Sequence, residues 1–156
     1  MLLTCVISGS FERFKPLIDD THRELKSYGV DVLEPPLGPV RVGKLYIPTG
    51  EEVRRYGDTS RPVWPLDGEV DLSIRGIEDR FLAALGRASF AYLVAPGGYI
   101  GETAAFELGF GLGVGVLLYA SDMPIFEEPT DSTRELCNHI HVMDVPDAVE
   151  HTRQLL

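Results

Sequence analysis

Residues 90–120 read FAYLVAPGGYIGETAAFELGFGLGVGVLLYA, and this stretch decides the fold. Residues 90–95 and 114–120 are short apolar runs, which are typical of strands buried on both faces of a sheet. Between them, Pro96-Gly97-Gly98 predicts a turn, and residues 103–113 predict a helix despite their glycines. Neighbouring parallel strands need a crossover connection, which such a helix supplies. The stretch therefore predicts a strand, helix and strand of one parallel sheet.

The same alternation of apolar runs and helices continues on both sides of this unit. Before it, we expect a strand at residues 2–8, a helix from Pro16 to Tyr28 closed by Gly29, and a strand at residues 30–33. A helix at residues 74–88, capped by Asp71 or Ser73, then leads into the unit. After the unit, we expect a strand at residues 139–143 and a last helix opened by Pro146. This order predicts an open, doubly wound α/β sandwich, flavodoxin-like or Rossmann-like, with about five parallel strands and helices on both faces.

Composition limits the classes of partner. The 156 residues suit a single domain, which we expect to span residues 1–156. With 14 Lys and Arg against 24 Asp and Glu, the formal net charge of −10 repels polyanions, so we expect no nucleic-acid polymer as a partner. No apolar run has the roughly 18 to 20 residues of a membrane span, and the first residues lack signal-peptide features, so we expect a cytoplasmic protein without a membrane partner. Cys5 and Cys137 lie in or beside apolar stretches, which predicts two buried thiols.

Residues 37–71 are the part of the chain that the sequence predicts least well. They combine a hairpin pattern at residues 40–47 with several turn signals, and such a segment is typical of a functional loop, for example an active-site lid, or of an unrecognised element. Trp64 lies here between two prolines. Its ring can either cover a nucleobase by stacking or anchor the loop in a small hydrophobic cluster.

The turns beyond the carboxyl ends of the strands are the candidate binding elements, because open α/β sheets bind ligands at that edge. Ser8-Gly9-Ser10 follows the first strand with two hydroxyl groups and a glycine, which suit a ribose or a phosphate. The turn before the central helix offers backbone N–H groups and a helix N-terminus, which attract anions but also occur in ordinary strand-to-helix connections. Its candidate binding residues are Gly97, Gly98, Gly101 and Thr103.

Glu107 is the most informative single residue. It is the one carboxylate in the otherwise apolar, glycine-rich segment 104–111. A carboxylate removed from water is costly, and functional sites are where such costs recur. A solvent-facing position at the edge of the helix would be the structural alternative.

Four segments carry a resemblance to a known family. They are Ile7-Ser8-Gly9-Ser10, LKSYGVDVLEP at residues 25–35, LAALGRAS at residues 82–89 and GETAAFELGFG at residues 101–111. Together they resemble the nucleoside 2-deoxyribosyltransferase superfamily, which includes nucleotide N-glycosidases, over most of the chain outside residues 37–71. The most specific element is the Glu-Leu-Gly of residues 107–109.

This resemblance implies a function for the turn and helix at residues 101–111. Glu107 would be the nucleophile that attacks the anomeric carbon of a nucleoside or nucleotide. The turn from Gly101 to Thr103 would hold the sugar or its 5′-phosphate, and the turn from Ser8 to Ser10 would line the same pocket. The resemblance also implies a homo-oligomer in which a neighbouring subunit completes the site.

One position departs from the pattern of the family. Where members carry an active-site Asp, this chain has Phe81. Glu78 lies about 60° from Phe81 around a helix, whereas Asp79 lies about 160° away, so Glu78 is the better substitute. The acid that helps the base to leave could be Glu78, Asp79 or Glu102, and the alternative for Glu78 is a solvated position beside the apolar stripe.

No cofactor and no metal are expected. His139 and His141 alternate on a predicted strand and would share one face, but no third ligand lies near them in the sequence. His22 and His151 are most simply interpreted as surface residues.

Two other interpretations remain open at this point. Residues 96–103, PGGYIGET, together with Glu107 resemble the Pro-Gly-Gly-x-Gly-Thr-x-x-Glu signature of the lonely-guy phosphoribohydrolases, although an extra residue interrupts the motif. Phe81 favours the third interpretation, a nucleotide-binding sensor without catalytic activity on the same fold.

Overall fold

A computed structural model describes residues 1–37, 40–42, 45–47 and 74–156 of the chain. The strands are β1 (Thr4–Gly9), β2 (Asp31–Glu34), β3 (Val40–Val42), β4 (Leu45–Ile47), β5 (Phe90–Val94), β6 (Leu117–Ala120) and β7 (Ile140–Val142). The helices are α1 (Phe11–Ser27), α2 (Ile74–Leu85), α3 (Glu102–Gly113), α4 (Asp131–Asn138) and α5 (Val145–Leu155). A single 3-10 turn, Pro96–Gly98, lies between β5 and α3.

Five strands form one parallel sheet in the order β2-β1-β5-β6-β7. This confirms the predicted open α/β fold, and the order is that of a flavodoxin-like doubly wound sheet. The chain adds β2 on one side of β1 and β5 on the other, so the strand order reverses between β1 and β5. The carboxyl ends of these two strands therefore border the crevice in which such folds bind ligands.

Two hydrophobic clusters fill the two faces of the sheet. One includes Ile18 and Leu25 of α1 with Val149 of α5, and the other includes Leu85 of α2 with Leu108 of α3. Side chains along a strand alternate between the faces, so the fully buried β5 supplies both clusters. The helices on the two faces thus hold β1 and β5 from both sides.

The structure corrects two predictions and adds one helix. α1 begins at Phe11 rather than at Pro16, and Phe14 departs from helical geometry (φ −128°, ψ 20°) just before the proline, which has no N–H to donate to the preceding turn. α4, with its buried Leu136, was not predicted. Cys137 is only half-buried, whereas Cys5 is fully buried, and both are free thiols.

The hairpin pattern at residues 40–47 corresponds to an antiparallel pair of short strands, β3 and β4. Trp64, Asp71 and Ser73 lie outside the described residues, so the stacking and capping roles given to them stay predictions. No helix of the described part of the chain is long and apolar enough to cross a bilayer.

Candidate functional site

A buried carboxyl group lies at the reversal of the strand order. Glu107, on the second turn of α3, is 7% exposed, and Ser8, near the end of β1, is 1% exposed. The Ser8 hydroxyl donates a hydrogen bond of 2.6 Å to Oε2 of Glu107. The structure therefore places Glu107 in the interior, as the apolar surroundings in the sequence predicted.

Glu78 of α2 is the second acidic residue of this site. It is half-buried, and its carboxyl group forms a side-chain hydrogen bond with that of Glu107. Oε1 of Glu78 is buried without a hydrogen-bond partner in the described part of the chain.

The two carboxyl groups hold protons more tightly than isolated ones. Burial raises the pKa of Glu107 to about 8, the hydrogen bond from Ser8 opposes this rise, and the neighbouring charge of Glu78 adds to it. Burial also raises the pKa of Glu78, the hydrogen bond with Glu107 opposes this rise, and the charge of Asp79 adds to it. The same hydrogen bond raises the pKa of Glu107, so the proton of the pair lies on Glu107. Because two adjacent carboxylates repel each other, the pair retains one proton at neutral pH.

α2 brings Glu78 to Glu107, and not Phe81, the residue that stands where the resembling family has an Asp. Phe81 is 5% exposed and belongs to the hydrophobic cluster between α2, α3 and the sheet. Asp79 is exposed. Of the candidates for the second carboxyl group, the structure thus brings Glu78 to Glu107, as the angular argument from the sequence predicted.

The turn after β1 positions Ser8 through its glycine. Gly9 has φ +148°, and a Cβ atom at this position would lie 2.9 Å from the carbonyl oxygen of Val94. The absence of a side chain lets β1 approach β5 closely at the carboxyl edge. Ser10 is the N-cap residue of α1, and its carbonyl accepts a 2.8 Å hydrogen bond from the Phe14 amide.

The glycine turn after β5 uses its amides within the protein. The Gly97 amide donates to Oδ2 of Asp122 at 3.1 Å, and the Gly98 amide donates to the Ala95 carbonyl at 2.8 Å. Gly98 has φ +84°, and a Cβ atom there would lie 2.7 Å from the Met123 carbonyl oxygen. These contacts do not support the predicted anion binding by the amides of Gly97 and Gly98, because a carboxylate already occupies the first of them.

Two of the other predicted residues, at the start of α3, border a separate cleft. Gly101 is the N-cap residue, and Glu102 and Thr103 are exposed in the first turn. Gly101 and Glu102 line a cleft of about 630 Å³, which Glu107 does not line. Glu102 therefore lies in a different environment from the pair of Glu78 and Glu107.

Arg13 is a residue of this cleft that the sequence did not single out. Its guanidinium group lies 4.2 Å from the centre of the Tyr99 ring, within the range of a cation–π contact. Glu102, Glu127 and Glu128 line the same cleft, so acidic groups outnumber its one arginine. Arg13 could not be found from spacing, because the residue that it stacks on follows another strand.

Comparison of the sequence with models of protein families and with curated proteins finds no match. The resemblance to the deoxyribosyltransferase superfamily thus rests on the quoted segments. No group of three or more His, Cys, Asp or Glu side chains in the described residues converges on a metal-binding point.

Proposed function

We propose that the protein cleaves the N-glycosidic bond of a nucleoside or nucleotide, with Glu107 as the nucleophile and Glu78 as the acid. The observation that carries this proposal is the buried Glu107, which contacts both the Ser8 hydroxyl and a second carboxyl group. Such a pair offers an ionised and a protonated carboxyl group at the same time, which is what cleavage at an oxocarbenium-like centre needs.

In the first step, an oxygen of ionised Glu107 would form a bond to the anomeric carbon as the bond from that carbon to the base nitrogen breaks. The electron pair of the broken bond goes to the base, which takes the proton held by Glu78. In the free protein the pKa of about 8 keeps the shared proton on Glu107 at neutral pH, so this proton must pass to Glu78 when the substrate binds. The Ser8 hydroxyl donates to Glu107 and favours its ionised form, which supports this transfer. The hydrogen bond between the two carboxyl groups gives the proton a direct path to Glu78.

In the second step, an acceptor would attack the anomeric carbon and release Glu107. If water is the acceptor, its proton passes to Glu78, the free sugar leaves and the enzyme is a hydrolase. If a second base is the acceptor, the proton of its attacking nitrogen passes to Glu78 and the enzyme is a transferase. Both outcomes restore one proton to the pair, so the same two residues serve either reaction.

We also propose that the protein works as a homo-oligomer. α3 is apolar on nearly all sides, yet Phe106 is 58% exposed and Gly109 and Gly113 are exposed on the same helix. An apolar helix with an uncovered face is typical of a subunit interface.

The free thiols of Cys5 and Cys137 are consistent with a cytoplasmic location, where thiols stay reduced.

The test is chromatography of ribonucleosides, deoxyribonucleosides and their 5′-monophosphates after incubation with the protein, alone and with a second base. We expect one of these substrates to release free base, and we expect Glu107→Gln to abolish this release. Glu102→Gln is the matched control, because Glu102 is an exposed carboxylate on the same helix.

Two outcomes would overturn the proposal. Release of base that survives in Glu107→Gln would remove Glu107 as the nucleophile. Absence of release from every substrate, combined with thermal stabilisation by a nucleotide, would instead favour the nucleotide sensor, for which the Phe81 departure is the supporting observation.

A further inference from the structure

Besides the contact between Glu78 and Glu107, the helix α2 has a polar contact with the strand β2. Nε of Arg80, on the second turn of α2, donates a hydrogen bond of 2.5 Å to Oε1 of Glu34. Glu34 is the last residue of β2 and is buried, whereas Arg80 is exposed. A hydrogen bond between two charged groups is roughly twice as strong as one between neutral groups. This ion pair therefore ties α2 to the carboxyl end of β2.

The two polar contacts of α2 lie on nearly opposite sides of the helix. Residues two positions apart, such as Glu78 and Arg80, lie about 160° from each other around an α-helix. Glu78 contacts Glu107 of α3, and Arg80 contacts Glu34 of β2. The body of α2 accordingly packs against α3 as well as against β1 and β2. The two contacts thus hold the helix from both sides.

The apolar packing of α2 does not supply the same constraint. Phe81, Ala84 and Leu85 of this helix are buried in one of the two hydrophobic clusters. Hydrophobic attraction follows the buried area and has no preferred direction, whereas a hydrogen bond weakens steeply as its angle or length changes. The ion pair of Arg80 and Glu34 therefore adds a directional contact that resists rotation of α2.

A small rotation of α2 is enough to separate the two carboxyl groups of the site. The ends of side chains lie about 5 to 6 Å from the axis of a helix, so a rotation of about 20° moves them by about 2 Å. A hydrogen bond between two carboxyl groups, with an ordinary length of about 2.5 to 3.0 Å, does not survive such a displacement. The contact of Glu78 with Glu107 therefore depends on how α2 is held.

We propose that Arg80 and Glu34 are positioning residues, which hold α2 so that Glu78 stays within hydrogen-bond distance of Glu107. Both act through Glu78 and are not assigned a contact with the substrate. Their importance for turnover rests on the proposed function, in which Glu78 is the acid. Their effect on the geometry of the carboxyl pair does not, and it is measurable in the free protein.

The pKa of Glu107, followed by the carboxyl ¹³C chemical shift, is the first readout. Arg80→Met removes the guanidinium group of an exposed side chain and keeps its apolar stem. The charge and the hydrogen bond of Glu78 both raise the pKa of Glu107, so this pKa should fall when Glu78 moves away. Loss of the positive charge of Arg80 without any movement would instead raise it, so the sign of the change distinguishes the two causes.

Arg134→Met is the matched control for this measurement. Arg134 is exposed, and it pairs with Asp131 of its own helix, α4, at 2.9 Å. This variant should leave the pKa of Glu107 unchanged. A pKa that stays constant or rises in Arg80→Met, with the fold intact by circular dichroism, would overturn the proposal.

A double variant tests whether the two residues act through their mutual contact. Arg80→Met, Glu34→Ala and the combination of both should lower the pKa of Glu107 by the same amount, because the same ion pair is lost in each. Additive effects of the two single substitutions would contradict the proposal.

Kinetics provide the readout for catalysis. If the unmodified protein releases base, Arg80→Met should lower kcat about tenfold or more with little change in KM, because a displaced acid affects the transition state rather than substrate binding. An unchanged kcat in this variant would overturn the positioning role in catalysis. Absence of base release from the unmodified protein would contradict the proposed function, whereas the pKa measurement would still decide whether the ion pair positions Glu78.

Discussion

The pair of Glu78 and Glu107 predicts how stability changes with pH, and Glu107→Gln tests this prediction. The pKa of Glu107 is about 8 in the folded protein against an ordinary 4.5. Between these values the folded protein holds a proton that the unfolded chain has released. The stability that this proton provides is complete below the unfolded pKa and is lost as the pH rises through the folded pKa.

The size of the effect follows from the difference between the two pKa values. At about 1.4 kcal/mol per pKa unit, the shift of Glu107 corresponds to at most about 5 kcal/mol between pH 5 and pH 9. Glutamine resembles the protonated carboxyl group and does not titrate, so Glu107→Gln should lose this part of the pH dependence. Since domains of this size are stabilised by about 5 to 15 kcal/mol, the difference is easily measurable.

Urea unfolding followed by circular dichroism at several pH values is the assay. From pH 5 to pH 9, the free energy of unfolding of the unmodified protein should fall by a few kcal/mol more than that of Glu107→Gln. Glu102→Gln, on the same helix but exposed, should follow the unmodified protein. Parallel pH profiles of the unmodified protein and Glu107→Gln, within about 1 kcal/mol, would refute the claim that Glu107 is buried as a proton-holding group.

Three further substitutions test the local geometry. Ser8→Ala removes the hydrogen bond that favours ionised Glu107, so the pKa of Glu107, followed by the carboxyl ¹³C chemical shift, should rise further, and an unchanged value would contradict the contact. Gly98→Ala should lower the free energy of unfolding in urea by about 2 kcal/mol or more, because φ is +84° and a backbone oxygen lies 2.7 Å from the new Cβ atom. Gly97→Ala, where nothing lies within 4 Å of the new Cβ atom, should lower it by about half as much. Equal losses in the two variants would argue against the close approach at Gly98. Thr130→Ala removes the capping box of α4 and should cost about 1 kcal/mol, whereas no loss of stability would show that the cap does not hold this helix.

The sheet could be predicted because each of its central strands is a short apolar run. Residues 90–95 alone indicate burial on both faces, and the structure has β5 at Phe90–Val94. α4 could not be predicted in the same way. Only Leu136 of this helix is buried, so it has no apolar stripe, and its capping box pairs Thr130 with Thr133 instead of the usual Glu or Gln.

A residue of the candidate site could be predicted where its role follows from its place in a single helix or strand. Glu107 is conspicuous in an apolar helix. Glu78 was favoured over Asp79 because it lies closer to Phe81 around the helix. The use of the Gly97 amide by Asp122 was not predictable, because it joins the turns after two different strands. Glycine spacing indicates where amides are accessible to a ligand, but it does not show whether the protein itself already uses them.

A covalent adduct on Glu107 is the measurement that tests the central claim most directly. The protein is incubated with whichever nucleoside or nucleotide releases base, quenched in acid during turnover, digested and analysed by mass spectrometry. The proposal predicts that the peptide containing Glu107 gains the mass of one sugar unit, and that Glu107→Gln gains none. Release of base without any such adduct, or an adduct on another residue, would contradict the assignment of Glu107 as the nucleophile.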